Sequence, residues 1–244
     1  MKSVLITGAN KSIGFETARQ LLQKGYYVYL GSRDIKKGLE ALKKLKAEGF
    51  TNAEVIQLDV SNQESVNAAR TEIGKRTKVL DVLINNAGIS GGMVSALTAS
   101  IDGFKEVFEV NVLGVVRVTQ AFIDLLKKSS APVIVNVSTS LGSLTLTSDP
   151  SNIYYHFKLA IYQSSKSALN MYTVALAYEL RDTAFKVNAV CPGFTKTDFN
   201  NHRGPGTVEE AGKRIVKYAI TDKDGPTGKY FSEEMNPVNG EIPW

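Results

Sequence analysis

Thr7–Gly14 reads TGANKSIG, with KSVLI before it (Lys2–Ile6) and FETARQLLQKG after it (Phe15–Gly25). An apolar run enters a turn of small residues, and the turn opens a helix. That is the layout of a loop that holds a phosphate on free backbone N–H groups. Gly8 permits the sharp exit from the strand, and Gly14 lets the helix lie close to it. Ser12 stands in the middle position, where such loops often carry glycine. Its hydroxyl can cap the first helical turn or meet a phosphate oxygen, while its Cβ crowds the approach. A plain strand-to-helix turn fits the same residues, so the rest of the chain has to decide.

Outward from this loop, apolar runs alternate with helical patterns. SVLIT leads to a helix over Ser12–Lys24, YYVYLG to a charged helix with Leu39, Leu42 and Leu45 as its stripe, and AEVIQLDV to a helix from about Asn62. VLDVLINNAG precedes a long helical pair over Ile101–Lys128. PVIVNVST precedes a helix over Tyr162–Arg181, and KVNAVCPG precedes one over Val208–Ile220. This alternation predicts an α/β, doubly wound parallel sheet with helices on both faces. No linker or internal repeat divides residues 1–244, so a single domain is expected. The polar run NNHRGPG after Pro192-Gly193 predicts a loop over the carboxyl edge of the sheet.

Composition narrows the function classes. The chain is 43% hydrophobic and 22% charged with a net charge of +5, and its lysines and arginines are scattered along helices rather than massed. Nucleic acid is therefore not an expected partner. No apolar run reaches membrane-spanning length, and the lone Cys191 fits a reducing compartment, so a cytoplasmic, membrane-free protein without a metal site is expected.

The end of the second strand speaks to the ligand. In YYVYLGSRD, Ser32 stands where an acidic residue would accept a ribose 2′-hydroxyl, and Arg33 follows at once, with Lys37 and Lys11 nearby. Cations there suit a 2′-phosphate, which points to NADP rather than NAD. Asp34 lies one place further on and can cap the next helix. The chemistry is carried by IYQSSKSAL, where Tyr162 and Lys166 are four apart and share a helix face. A phenol near pKa 10 is a poor proton donor at neutral pH, and an ammonium beside it is expected to bring that value down. Tyr154 and Lys158, in YYHFK, repeat the spacing but stand beside the loop-like SDPSN and lack the flanking small residues; Tyr162 is the chosen acid.

With TGANKSIG, LDV (58–60), NNAG (85–88), NVLG (111–114), VNVST, YQSSK and CPGFTKT in this order, the chain resembles the short-chain dehydrogenase/reductase family over essentially its whole length. The late GPTGKYFSE and PW make it most similar to the NADPH-dependent carbonyl reductase branch. The resemblance implies that Gly8, Asn10, Lys11, Ser12, Ile13 and Gly14 hold the cofactor's phosphates, with Asp59 and Val60 bordering the adenine. Asn85 would support the central strand beside the cofactor and, with Ala87 and Gly88, help bind it, and Pro192, Gly193 and Thr195 would position the nicotinamide carboxamide. Tyr162 would be the general acid, and Lys166 would bind the nicotinamide ribose. Asn111 would hold a relay water. Where the family has its carbonyl-orienting serine this chain has Thr139, with Ser140 as the neighbouring alternative. The implied activity is NADPH-dependent reduction of a small-molecule ketone or aldehyde. An NAD-dependent alcohol dehydrogenase and a non-catalytic dinucleotide sensor are the rivals. Phe194, Phe199 and Gly204–Gly206, within about 194–220, are expected to form a mobile lid. The interval between Thr139 and Tyr162 is longer than the family's common spacing. It would either cover the dimerisation face of the Tyr162 helix or shape the substrate pocket, so monomer and homo-oligomer both stay open.

Overall fold

Runs such as SVLI, VLIN and VIVNV are apolar or β-branched at nearly every position, as parallel strands covered on both faces require. In the computed structural model, which describes all residues from Met1 to Trp244, they form β1 (Ser3–Ile6), β2 (Tyr27–Ser32), β3 (Ala53–Gln57), β4 (Val82–Asn85), β5 (Val133–Val137) and β6 (Lys186–Val190). With β7 (Lys229–Phe231) they make one seven-stranded parallel sheet in the order β3-β2-β1-β4-β5-β6-β7. Strand order reverses between β1 and β4, and in a doubly wound sheet a ligand binds in the crevice outside that point.

The helices are α1 (Ser12–Gln23), α2 (Ile35–Ala47), α3 (Gln63–Arg76), α4 (Ile101–Phe108), α5 (Gly114–Leu126), α6 (Leu144–Ser148), α7 (Ala160–Glu179) and α8 (Val208–Ala219). Alternating residues of each strand serve two cores. Val4 and Ile6 of β1 pack with Leu21, Leu45 and Ile215 on one face, while Leu5 packs with Ile73, Phe122 and Leu176 on the other. The doubly wound reading therefore holds.

Three elements escaped the sequence pattern, the first being α6 (Leu144–Ser148) in the interval before Tyr162. β7 is only three residues long and follows Gly228, so neither period nor length marks it. The expected helical pair at Ile101–Lys128 is one continuous rod in which Glu109–Leu113 forms a π-turn between α4 and α5. Asn111 lies in that turn and is fully buried.

Candidate active site

The phosphate loop is built by close approach. A Cβ on Gly14 would lie 2.5 Å from both the Asn86 Nδ2 and the Gly8 carbonyl oxygen, so only glycine lets α1 start this near β4. Asn86 Nδ2 donates to the carbonyls of Thr7 (2.8 Å) and Gly8 (3.1 Å), while Thr7 Oγ1 accepts the N–H groups of Asn86 and Ala87 at 2.9 Å. Thr7 and Asn86 thus latch the turns after β1 and β4 together. Neither was among the expected site residues, although a hydroxyl and an amide at the ends of neighbouring strands were the available signal.

Ser12 does not cap the helix. The cap position is Lys11, which provides no side-chain bond, so the first-turn N–H groups of α1 stay free for an anion. Ser12 instead adopts φ +53°, the left-handed conformation glycine takes readily, at a cost of about 1–2 kcal/mol for a residue with a Cβ. Glycine's geometry is thus kept without glycine. Asn10 and Ile13 are half-buried on either side.

Asp34 caps α2 by accepting the N–H groups of Lys36 (2.9 Å) and Lys37 (3.3 Å), which leaves Arg33 exposed at the end of β2. Lys37 is also exposed, 4.0 Å from Asp34 Oδ2. Lys11 reaches across the crevice to Asp198 at 2.9 Å. The Asp59 carboxylate is occupied by Ser61, from N at 3.0 Å and Oγ at 2.6 Å. Val60 is buried against Gly114. Asn85 faces the interior, donating to Asn136 Oδ1 (2.9 Å) and Thr119 Oγ1 (3.2 Å) between β4, β5 and α5. Its side chain ties β4 to β5 and α5.

At the carboxyl ends of β4 and β5 the chemistry-bearing residues converge. Asn111 holds the loop after Gly88 by a reciprocal pair with Ile89, donating to its carbonyl and accepting its N–H at 2.9 Å each, and donates to Ser165 Oγ at 3.0 Å. Asn111 Oδ1 and Lys166 Nζ stand over Gly88, 3.2 and 3.7 Å from where a Cβ there would be. Lys166 is buried on α7 and donates to the Val137 carbonyl at 2.8 Å, with Nζ 5.8 Å from the centre of the Tyr162 ring. Thr139 is half-buried at the exit of β5. Its carbonyl accepts the Tyr230 hydroxyl, and its Oγ1 accepts the Leu141 N–H at 3.4 Å. Ser138 points away and donates to Asn170, while Ser140 is buried in the following short 3₁₀ turn.

The expected lowering of the Tyr162 phenol is corrected. Burial pushes the phenol above its ordinary value, and burial pushes Lys166 down to about 8. With its ammonium turned to a backbone carbonyl, the lysine does not offset the desolvation of the phenol. Tyr162 is consequently protonated at neutral pH, the form a proton donor needs.

The segment after β6 folds over this crevice. Gly193 has φ +88°, and Thr195 is buried with its hydroxyl on the Gly193 carbonyl at 3.1 Å. Phe194 O accepts Gly206 N–H (3.1 Å) and Gly206 O accepts Lys196 N–H (2.8 Å), closing residues 194–206 into a loop. Gly204 is packed against the backbone of Thr195, so it serves close contact within this loop. At the tip, Phe199 lies over Tyr162 with ring centres 5.4 Å apart. The long interval before Tyr162 reaches the same side: Tyr154 and Phe157 meet the Phe194 ring at 6.4 and 6.5 Å.

A glycine-turned loop thus lies at the sheet's switch point, near the helix that carries Tyr162 and Lys166. Residues 2–207 match the model of the short chain dehydrogenase family. The chain belongs to that family, as its motifs implied, and is of the carbonyl reductase type. It is 34% identical to a (+)-neomenthol dehydrogenase of Capsicum annuum, with 93% of this chain and 94% of the relative covered. Salutaridine reductase from Papaver somniferum superposes with a TM-score of 0.84 at 30% identity, covering 95% of this chain and all of that one. An NADPH-bound carbonyl reductase from chicken fatty liver superposes with a TM-score of 0.86 at 27% identity, covering 100% and 99%. No helix is long and apolar enough to cross a membrane.

Proposed function

We propose that this chain reduces a ketone or aldehyde to an alcohol with NADPH. The observation that carries this reading is the enclosure of Tyr162, Lys166, Asn111 and Thr139 at the edge where β4 and β5 end, across from an uncapped helix start. Its named relatives are a dehydrogenase and reductases, and one neighbouring structure holds NADPH. The residues fit that cofactor: the free first turn of α1 suits a pyrophosphate, and exposed Arg33 suits a 2′-phosphate.

When bound, the reduced nicotinamide supplies hydride to the carbonyl carbon. Tyr162 donates its phenolic proton to the substrate oxygen, and the Thr139 hydroxyl donates a hydrogen bond to the same oxygen as charge develops. Lys166 keeps a positive charge beside the phenolate that proton donation leaves. Asn111 holds the Gly88–Ile89 turn against α7 and leaves its Oδ1 beside Lys166, where a water can pass a proton inward. Residues 194–206 act as the lid, with Phe199 on Tyr162 and Asp198 on Lys11 as its contacts in the closed position, whereas the rest of the expected 194–220 region is α8, whose Ile215 and Val216 are buried in the core. The substrate is a small molecule, and the buried, unpaired Cys191 supports a reducing, cytoplasmic setting.

The test is NADPH oxidation over a panel of diketones, quinones, aldehydes and cyclic ketones, run in parallel with NADH. Turnover preferring NADPH is expected; turnover with neither overturns the reading. In the active assay, Thr139→Ala should lower kcat by about 10²-fold with NADPH binding nearly intact, as loss of one oxyanion donor does. An unchanged kcat transfers the role to Ser140.

A further inference from the structure

The turn from Pro192 to Phe194 is held from both sides by charged side chains that no motif of the chain singles out. From α8, Arg214 donates Nη1 to the Pro192 carbonyl at 2.7 Å, and its guanidinium carbon lies 3.2 Å from where a Gly193 Cβ would stand. From the segment after β7, the Glu234 carboxylate accepts the Phe194 N–H at 3.2 and 3.3 Å, with its carbon 3.8 Å from the same point. The Tyr154 hydroxyl donates to Glu234 Oε1 at 3.1 Å, and its ring stands edge-on to Phe194. A cation on the carbonyl and an anion on the N–H match the polarity of the turn at both ends. Such charge-assisted bonds are roughly twice as strong as neutral ones. Gly193, at φ +88°, lies between them, and the guanidinium occupies the space a Cβ there would need.

We propose that Arg214, Glu234 and Tyr154 are positioning residues that clamp the Pro192–Phe194 turn in the shape that seats the nicotinamide end of the cofactor, separately from its adenosine end. This rests on the NADPH reading above. Through Tyr154 the same clamp ties the long segment before α7 to the cofactor turn.

The experiment is equilibrium binding of two ligands, NADPH and 2′-phospho-ADP-ribose, which lacks the nicotinamide. Each is titrated into the wild type, Arg214→Met, Arg214→Lys, Glu234→Gln and Tyr154→Phe. Arg214→Met should raise the NADPH Kd about tenfold and change that of 2′-phospho-ADP-ribose by less than about twofold. Arg214→Lys should recover part of the loss, and Glu234→Gln and Tyr154→Phe should shift NADPH alone, by smaller factors. Equal weakening of both ligands overturns the clamp, because Arg214 would then act on the phosphates or on the fold. Unshifted Kd values in all variants overturn it as well. If Arg214→Met does not fold, Glu234→Gln and Tyr154→Phe decide by the same contrast. A wild type that does not bind NADPH sinks the reading of function instead, a result distinct from a tight wild type whose variants do not move.

Discussion

Tyr162 with Lys166, and Tyr154 with Lys158, carry one spacing into two environments. The first pair lies on α7, where four residues make one helical turn and both side chains face the carboxyl edge of the sheet. The second lies in turns before that helix. There Lys158 donates to the Thr147 carbonyl at 2.7 Å and covers the Tyr155 ring, while Tyr154 goes to Glu234. Burial raises both phenols, so acidity of the tyrosine alone does not separate them. The difference is the lysine: Lys166 is buried beside Asn111 and Gly88, and Lys158 is spent on the Thr147 carbonyl of α6. Equal spacing becomes chemistry only where secondary structure turns it into proximity.

The sharpest way to break this contrast is to remove each hydroxyl. Tyr162→Phe should lower kcat by about 10³-fold with NADPH still bound, within the range for a lost general acid. Tyr154→Phe should cost no more than about a few-fold, acting through the clamp. Equal losses in steady-state assays would erase the distinction. Arg33→Ala extends the test to the cations: it should raise KM for NADPH about tenfold and leave KM for NADH unchanged, since only the former carries the 2′-phosphate. A parallel rise in both would remove Arg33 from cofactor choice.

The lysines give a smaller effect, read by pH. Lys166, held down to about 8, is charged below that pH and loses its charge as pH rises through it. Turnover should therefore fall several-fold above about pH 8, and Lys166→Arg should move the descent upward because the guanidinium stays charged. Lys158→Met should leave the profile in place. A flat wild-type profile across this range would show that the ammonium is not needed. The smallest effect concerns the phosphate loop. Ser12→Gly should relieve the left-handed backbone and raise Tm by about 2–4 °C, as about 1 kcal/mol does in a domain of this size. A lower Tm would mean the serine hydroxyl contributes more than the strain costs.

Much of this was legible in the chain. Strand–helix alternation, the turn at Gly8–Gly14 and the placing of Tyr162 on a helix rest on local periodicity and backbone conformation, and the structure agrees with each. Asp34 as a helix cap was likewise readable, because capping is a local bond. Where reading stopped, the interactions are distant in sequence. Thr7 bonds 79 residues away to Asn86, and Tyr154 bonds 80 residues away to Glu234; no periodicity links such positions. Ser12 was read by its hydroxyl, yet what matters is its φ, and residue type does not state that.

The order of elements, the glycine-turned loop after β1 and the placing of Tyr162 and Lys166 on one helix were determined by the sequence alone, because each is written within a few residues. Tertiary structure decided which way Lys166 points, that burial governs the Tyr162 phenol, and that Arg214 and Glu234 meet across one glycine. Those outcomes depend on desolvation and on long-range contacts, which exist only once β6, α8 and the segment after β7 are brought together.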